Sequence, residues 1–442
     1  MKLKERLKRI PRYKIKGKIT GVTGPIIEAY LPKVSIGDSC ILENKIEAEV
    51  VGFKEGKTLL MAYDDTKGIS VGSWIESSQE PVSIGVGEDL LGCVVDPFGK
   101  PLNRDDFVAS YQYYLKNEIV NPLKRARITQ PLDVGIRSIN ALLTIGKGQR
   151  IGIFAGAGVG KSTLLGMISR YTEADVNVIV LVGERGREVR EFIEDNLGDE
   201  GLRKSVVVVA TSDQPPLAKI RAVYTAVAIA NYFSNMGKDV LFLVDSLTRL
   251  AMAQREIGLA VGEPPTTKGY TPSVFALLPK FIEQAGNFIN RGSITGIYTV
   301  LVEGDDISMD PVADAAMGFL DGHIVLSREL ANKRIFPAID VLKSVSRLMP
   351  QLVDDDILKY QAIFMDLETT YRESEDMINL GLYKKGTTPK IDLAIKMHRD
   401  MEEFIKQDMN LKVNFKESVE QLENLIEKIR KEGLSYGINW DQ

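Results

Sequence analysis

The pattern of apolar and polar positions changes character twice along the chain, and each change marks a different architecture. Residues 13–80 carry short apolar segments broken by glycines: YKIKGKITGV, IIEAYL, CILE, AEVVGF, LLMAY and SWIES. Turn pairs separate them at Thr23-Gly24, Gly37-Asp38, Glu55-Gly56 and Lys67-Gly68. Many short strands at such spacing predict a small β-barrel or sandwich. From residue 149 the apolar runs become nearly continuous, at Ile151–Phe154, Val176–Val182, Val206–Val209, Val240–Val244, Ile297–Val302 and Ile324–Leu326. Helix-length stretches separate most of them. Strands buried on both faces show no alternation, so this part predicts a parallel α/β core. Residues 95–147, richer in Pro, Asn and Arg, read as a partly irregular connection. Beyond about residue 355 no strand pattern remains. Leu393, Met397, Met401 and Phe404 fall at helical spacing, as do Phe415, Val419, Leu422, Ile426 and Ile429. They predict amphipathic helices packed on the chain's own core.

Composition narrows this picture. The 442 residues are 44% hydrophobic and 26% charged, enough apolar material for two or three cores. Two cysteines, Cys40 and Cys93, sit in strand-like text, which fits a reducing compartment and no disulfide framework. No apolar run reaches the roughly 20 residues a membrane helix needs. Pro11 and alternating lysines also break any signal-peptide core, so a soluble intracellular chain is expected. The net charge of −4 gives no general pull toward nucleic acid, yet Lys2, Lys4, Arg6, Lys8, Arg9, Arg12, Lys14, Lys16 and Lys18 crowd the N-terminus against Glu5. His323 and His398 have no histidine or cysteine at metal-ligand spacing and read as structural.

The sharpest chemical signal follows the run Ile151–Phe154. It is Ala155-Gly156-Ala157-Gly158-Val159-Gly160-Lys161-Ser162-Thr163, leading into helical text at Leu164. Three glycines let the backbone curl so that successive N–H groups point at phosphate oxygens. The helix that follows presents its positive N-terminus to the same oxygens. Lys161 is placed to bridge the β- and γ-phosphates, and the Ser162 hydroxyl to ligate Mg2+. Ala155 replaces the glycine that opens the strict pattern, and a small residue suffices there. ATP hydrolysis is the expected chemistry.

Two further strand ends carry acids. Val240–Val244 runs into Asp245, where an α/β sheet places ligand-binding groups and a magnesium-side carboxylate belongs. Arg249 follows four residues later. Val176–Val182 runs into Gly183-Glu184-Arg185-Gly186-Arg187-Glu188, where Glu184 could polarise the attacking water. Arg347, in SVSR at 344–347, offers a guanidinium for transition-state charge on its own or a neighbouring subunit.

These residues, in this order, resemble the rotary ATP synthase α/β superfamily. The likeness extends to LLGCVVDPFGKPL (90–102), PLDVGIRSINALLTIGKGQR (131–150), GERGRE (183–188) and FPAIDVLKSVSR (336–347). EAEVVGF (47–53), GEPPTTKGYTPSVFA (262–276), DPVADAA (310–316), LDGHIVLSREL (320–330) and INLGLYKKG (378–386) are similar to flagellar protein-export ATPases rather than synthase subunits. The acidic, Leu-bearing torque segment of a synthase β subunit is missing. Met317 and Asn140 depart from the family's usual arginine and aspartate, which bears on subunit contacts rather than on chemistry.

The resemblance implies a basic arm at 1–18, a β-barrel at 19–85, a RecA-like ATPase domain at 86–352 and helices at 353–442. It implies a homohexamer, with Lys161 and Ser162 on phosphate and magnesium, Glu184 as base, Asp245 as second acid and Arg347 given in trans. Arg185 would lie at the nucleotide, and Phe336 would line the adenine pocket or serve as a core aromatic. Implied partners are a stator-like regulator at the N-terminal arm, export chaperones and substrates, and an export gate at the membrane. The implied place is the cytoplasm, peripheral to the inner face of the cytoplasmic membrane, with no nucleic acid bound. The loop Pro264–Pro272 would face the ring centre. Three readings compete: an injectisome ATPase; a non-catalytic ring subunit, which Glu184 argues against; and a ring helicase, whose exposed aromatics among basic residues are missing from 13–80.

Overall fold

The computed structural model describes residues 14–43, 45–78, 81–115, 120–302 and 307–440. The basic arm up to residue 13 lies outside them, whereas Lys16 and Lys18 belong to the first strand. All six segments read as strands form one closed barrel, in the order β1 (Lys16–Thr23), β2 (Ile26–Tyr30), β5 (Lys57–Ala62), β4 (Glu47–Lys54), β3 (Ser39–Leu42) and β6 (Trp74–Ser77). Closure removes the unpaired edges that short antiparallel strands would otherwise expose. Ile19, Ile27, Ala29, Cys40, Val50, Leu60 and Ile75 fill the interior. β7 (Ser83–Val86) lies outside the barrel and pairs with β9 (Tyr111–Tyr114).

The central sheet has eight strands: β16 (Ile339–Ser346), β15 (Gly322–Leu326), β10 (Arg150–Ala155), β14 (Ile294–Leu301), β13 (Val240–Asp245), β11 (Val176–Glu184), β12 (Ser205–Thr211) and β8 (Val94–Val95). Its inner strands are parallel and buried throughout, as their apolar runs require. Val176, Val178, Val180 and Val182 face one helical layer, while Ile179 and Leu181 face the other. The strands read from the apolar runs are parallel as expected, and β16, which the runs did not reveal, adds an edge that is antiparallel to β15. β16 is an edge strand with alternating burial, so its sequence lacks the continuous apolar run of the others. The connection 95–147 is partly irregular, as expected, with β9 and the helix Arg137–Leu142 as its main regular elements among the described residues.

Three helices, Asp355–Asn379, Pro389–Ile405 and Phe415–Ser435, complete the chain. Leu393, Met397, Met401, Phe404, Leu422, Ile426 and Ile429 are buried on the same side of the sheet as the helix Lys161–Tyr171. The helix Phe415–Ser435 begins with a capping box in which Asn414 and Glu417 exchange hydrogen bonds. Asn140 lies at this junction, buried, with its amide donating to Asp133 at 2.8 Å and to the Val413 carbonyl at 3.2 Å. Its departure from the family pattern therefore falls on a contact within the chain.

The barrel joins the core through charge as well as packing. Tyr63 donates to Glu49, and the Arg221 guanidinium lies 5.0 Å from the Tyr63 ring centroid and 4.4 Å from that of Phe98. Cys40 and Cys93 are buried and unbonded to each other. Among the described residues no helix is long and apolar enough to cross a membrane.

Candidate active site

β10 lies between β14 and β15, so the loop after Ala155 emerges at the middle of the sheet's C-terminal edge. Gly158 and Gly160 take φ values of 77° and 87°, the left-handed region that side chains disfavour. A Cβ on Gly158 would meet nothing within 4 Å, so conformation rather than space selects glycine there. A Cβ on Gly160 would instead stand 3.3 Å from the Phe336 ring. Phe336 therefore sits beside the loop and is 44% exposed, a surface aromatic rather than a core one. Val159 is buried and anchors the loop, while Ala157 and Gly158 form its exposed crest. Lys161 opens the helix Lys161–Tyr171, leaving Ser162 exposed and Thr163 half-buried in its first turn.

Three charged groups converge on this loop. Lys161 Nζ forms an ion pair with Asp245 and lies 3.9 Å from Glu184 Oε1. Both acids are nearly fully buried, at 3% and 9% exposure, so neither is an ordinary solvated carboxylate. Asp245 also accepts a 2.6 Å hydrogen bond from Thr299 Oγ1 on β14. Arg249 Nε lies 3.5 Å from Glu184 Oε1, from the first turn of the helix Leu247–Val261. Burial, and then the nearby Asp245 charge, push the Glu184 carboxyl up to about 7 against the pull of Lys161 and Arg249. A base with that affinity is charged above about pH 7 and protonated below it. With Glu184 as the proposed base, kcat/KM for ATP hydrolysis is expected to fall as pH drops through that region. A flat profile there would exclude a titrating Glu184 from the chemistry.

The donor set suits magnesium held partly by substrate. Among the described residues no group of three or more His, Cys, Asp or Glu side chains could hold a metal ion. Asp245 and the Ser162 hydroxyl offer two hard oxygens, and Mg2+ typically completes its shell with phosphate oxygens and water. Phosphate cradle, cation, carboxylate pair and hydroxyl together can support transfer of a phosphoryl group to water.

Three family descriptions match successive parts of the chain. They are the ATP synthase alpha/beta family beta-barrel domain at residues 19–78, its nucleotide-binding domain at 135–346, and the T3SS EscN ATPase C-terminal domain at 353–424. The flagellum-specific ATP synthase of Bacillus subtilis is 52% identical over 420 residues, covering 93% of this chain and 95% of the relative. The chain belongs to the ATP synthase alpha/beta family. Its likeness to flagellum-specific members recurs in Aquifex aeolicus, whose protein is 50% identical over 415 residues and covers 93% and 94% of the two chains. The assembled ATPase EscN in complex with its central stalk EscO, from the type III secretion system of enteropathogenic E. coli, superposes with a TM-score of 0.86. That match is 43% identical and covers 93% of this chain and 100% of EscN. This ATP synthase alpha/beta family member is accordingly a nucleotide-binding ATPase of the flagellar and type III export kind.

One residue implied by the family likeness is not at the site. Arg347 follows Ser346, which pairs with Gly322 at the start of β15; Leu326, at the end of that strand, pairs with Ala155. The exposed Arg347 therefore stands at the opposite edge of the sheet from the phosphate loop, with Nη1 3.3 Å from the Leu320 carbonyl. Arg185 is also exposed and paired with Glu188 at 3.0 Å. Thr299 was not singled out in the sequence, although a threonine inside the apolar run of β14, one residue beyond the Tyr298–Val244 pair, was the available signal.

Proposed function

We propose that the chain hydrolyses ATP with Mg2+ as a homohexameric ring and so energises flagellar type III protein export. The observation that carries this reading is the convergence of Lys161, Glu184 and Asp245 in one chain while Arg347 faces away from them. A site lacking its transition-state cation within one subunit can be completed by the next around a closed ring. When bound, Mg2+ neutralises phosphate charge. The chain's own groups do the rest: the loop amides and Lys161 hold the phosphates, Ser162 and Asp245 are placed to hold the ion, and Thr299 fixes the orientation of Asp245. Glu184 draws a proton from the attacking water, and a neighbour's Arg347 meets the charge developing on the transferred group. Phe336 stands where it can stack on the adenine.

Export substrates, their chaperones, a stator-like regulator and a membrane export gate complete this reading, with the ring in the cytoplasm against the inner membrane face. The central stalk bound to EscN supports a stalk partner here as well. The same structure supports an injectisome alternative, but the higher identity to flagellum-specific relatives favours the flagellar system. Lys161→Ala is expected to abolish phosphate release and, in the source organism, motility. Hydrolysis at the wild-type rate in that variant would overturn the mechanism.

A further inference from the structure

β16 joins two residues with separate tasks. Phe336 lies just before its first residue, Ile339, and stands beside the phosphate loop. Arg347 follows its last residue, Ser346, at the opposite edge of the sheet. Within the sheet this strand pairs with β15 alone, and buried polar side chains fasten it elsewhere. Asp340, 3% exposed, accepts from Arg372 Nη1 at 2.7 Å. Arg372 belongs to the helix Asp355–Asn379, where its Nη2 lies 3.3 Å from Glu368 Oε1. Ser344 Oγ donates to the Asp340 carbonyl at 2.6 Å and accepts from the Val325 amide at 2.9 Å. Ser346 Oγ donates to the Thr144 carbonyl at 2.7 Å and accepts from Gln149 Nε2 at 3.0 Å. Lys343 Nζ is 4.0 Å from Asp340 and mostly exposed, so Arg372 supplies the close cation.

A buried carboxylate is costly unless a cation and hydrogen-bond donors compensate it. Without Arg372, Asp340 must turn toward water or recruit Lys343, and either change pulls on the strand that carries it. Close-packed interiors transmit such shifts rather than absorb them, so both ends of β16 move. We propose that Arg372 is a positioning residue for two catalytic sites: by clamping β16 through Asp340 it sets Phe336 at the chain's own nucleotide and Arg347 at the neighbour's. This rests on the ring hydrolysis proposed above. It makes the helical domain, which supplies Arg372, a part of both sites, and one strand the link between adjacent nucleotides.

Arg372→Met keeps the length of the side chain and removes its charge. In the full chain its KM for ATP is expected to rise about tenfold, the loss of one base–aromatic stack. Its kcat is expected to fall about 10²-fold, the cost of misplacing Arg347 by roughly 1 Å. Arg372→Lys should recover part of both, since an ammonium keeps the charge without the fork. Mixing Arg372→Met with excess Lys161→Ala separates positioning from general damage. Each intact Lys161 then belongs to an Arg372→Met chain whose neighbour carries an intact Arg372. The kcat per intact site should match wild type diluted in the same excess, while KM stays raised. Recovery of neither constant overturns the proposal, because the damage then lies in the fold of one chain. Recovery of both overturns it too, as do wild-type constants in the variant by itself. Affinity for a fluorescent ATP analogue needs no turnover and isolates the Phe336 half. Tenfold weaker binding in Arg372→Met, in a wild-type chain that hydrolyses nothing, keeps the clamp on Phe336 and refutes only the hydrolytic reading. Unchanged affinity refutes the clamp.

Discussion

Glu184→Gln is expected to lower kcat for ATP hydrolysis by roughly 10²–10⁴-fold, the usual contribution of a positioned general base. Glutamine keeps the shape of the side chain and its place at the end of β11, so packing is retained and only basicity is lost. Nucleotide affinity should survive, because the loop amides, Lys161 and Asp245 are untouched. The loss should therefore appear in single-turnover phosphate release and not in nucleotide binding followed by fluorescence. The dependence on pH near 7 should disappear in the same variant, since the titrating carboxyl is gone. Hydrolysis near the wild-type rate would move the base elsewhere and leave Glu184 as a counter-charge for Lys161 and Arg249.

Arg347→Ala is expected to cost more, roughly 10³–10⁵ in kcat, as for other guanidiniums that reach a transferring phosphoryl group. Little stability should go with it. The side chain is exposed and, among the described residues, makes one hydrogen bond, at 3.3 Å to the Leu320 carbonyl, which contributes about 1 kcal/mol. A thermal unfolding midpoint close to wild type, combined with collapsed activity, would separate a catalytic role from a structural one. Arg347→Lys should recover only part of the rate, because an ammonium lacks the planar fork. Full activity in Arg347→Ala would remove it from the mechanism.

The legible parts of the fold were those in which burial imposes a pattern. Unbroken valines in Val206–Val209 can only be a strand covered on both faces, and β12 is one. The barrel strands announced themselves through turn glycines such as Gly24 and Gly56, which take positive φ between paired strands. β16 escaped because an edge strand alternates, and Lys343 and Val345 on its open side dilute the apolar signal. β8 is too short, at two residues, to leave any periodicity. At the site, Lys161, Glu184 and Asp245 could be read because each ends a strand or opens a helix. Thr299 could not, since its importance arises only from the register that sets β14 against β13. The separation of Arg347 from the phosphate loop was equally hidden, because it follows from the reversed direction of β16.

The central claim is that one catalytic site is built from two chains. Mixing Lys161→Ala with Arg347→Ala, each inactive by itself, tests it most directly. In randomly mixed rings about one interface in four joins an intact Lys161 to an intact neighbouring Arg347, so activity should recover toward about a quarter of wild type. A mixture as inactive as its two components, under conditions where the variants are shown to assemble together, would contradict the account.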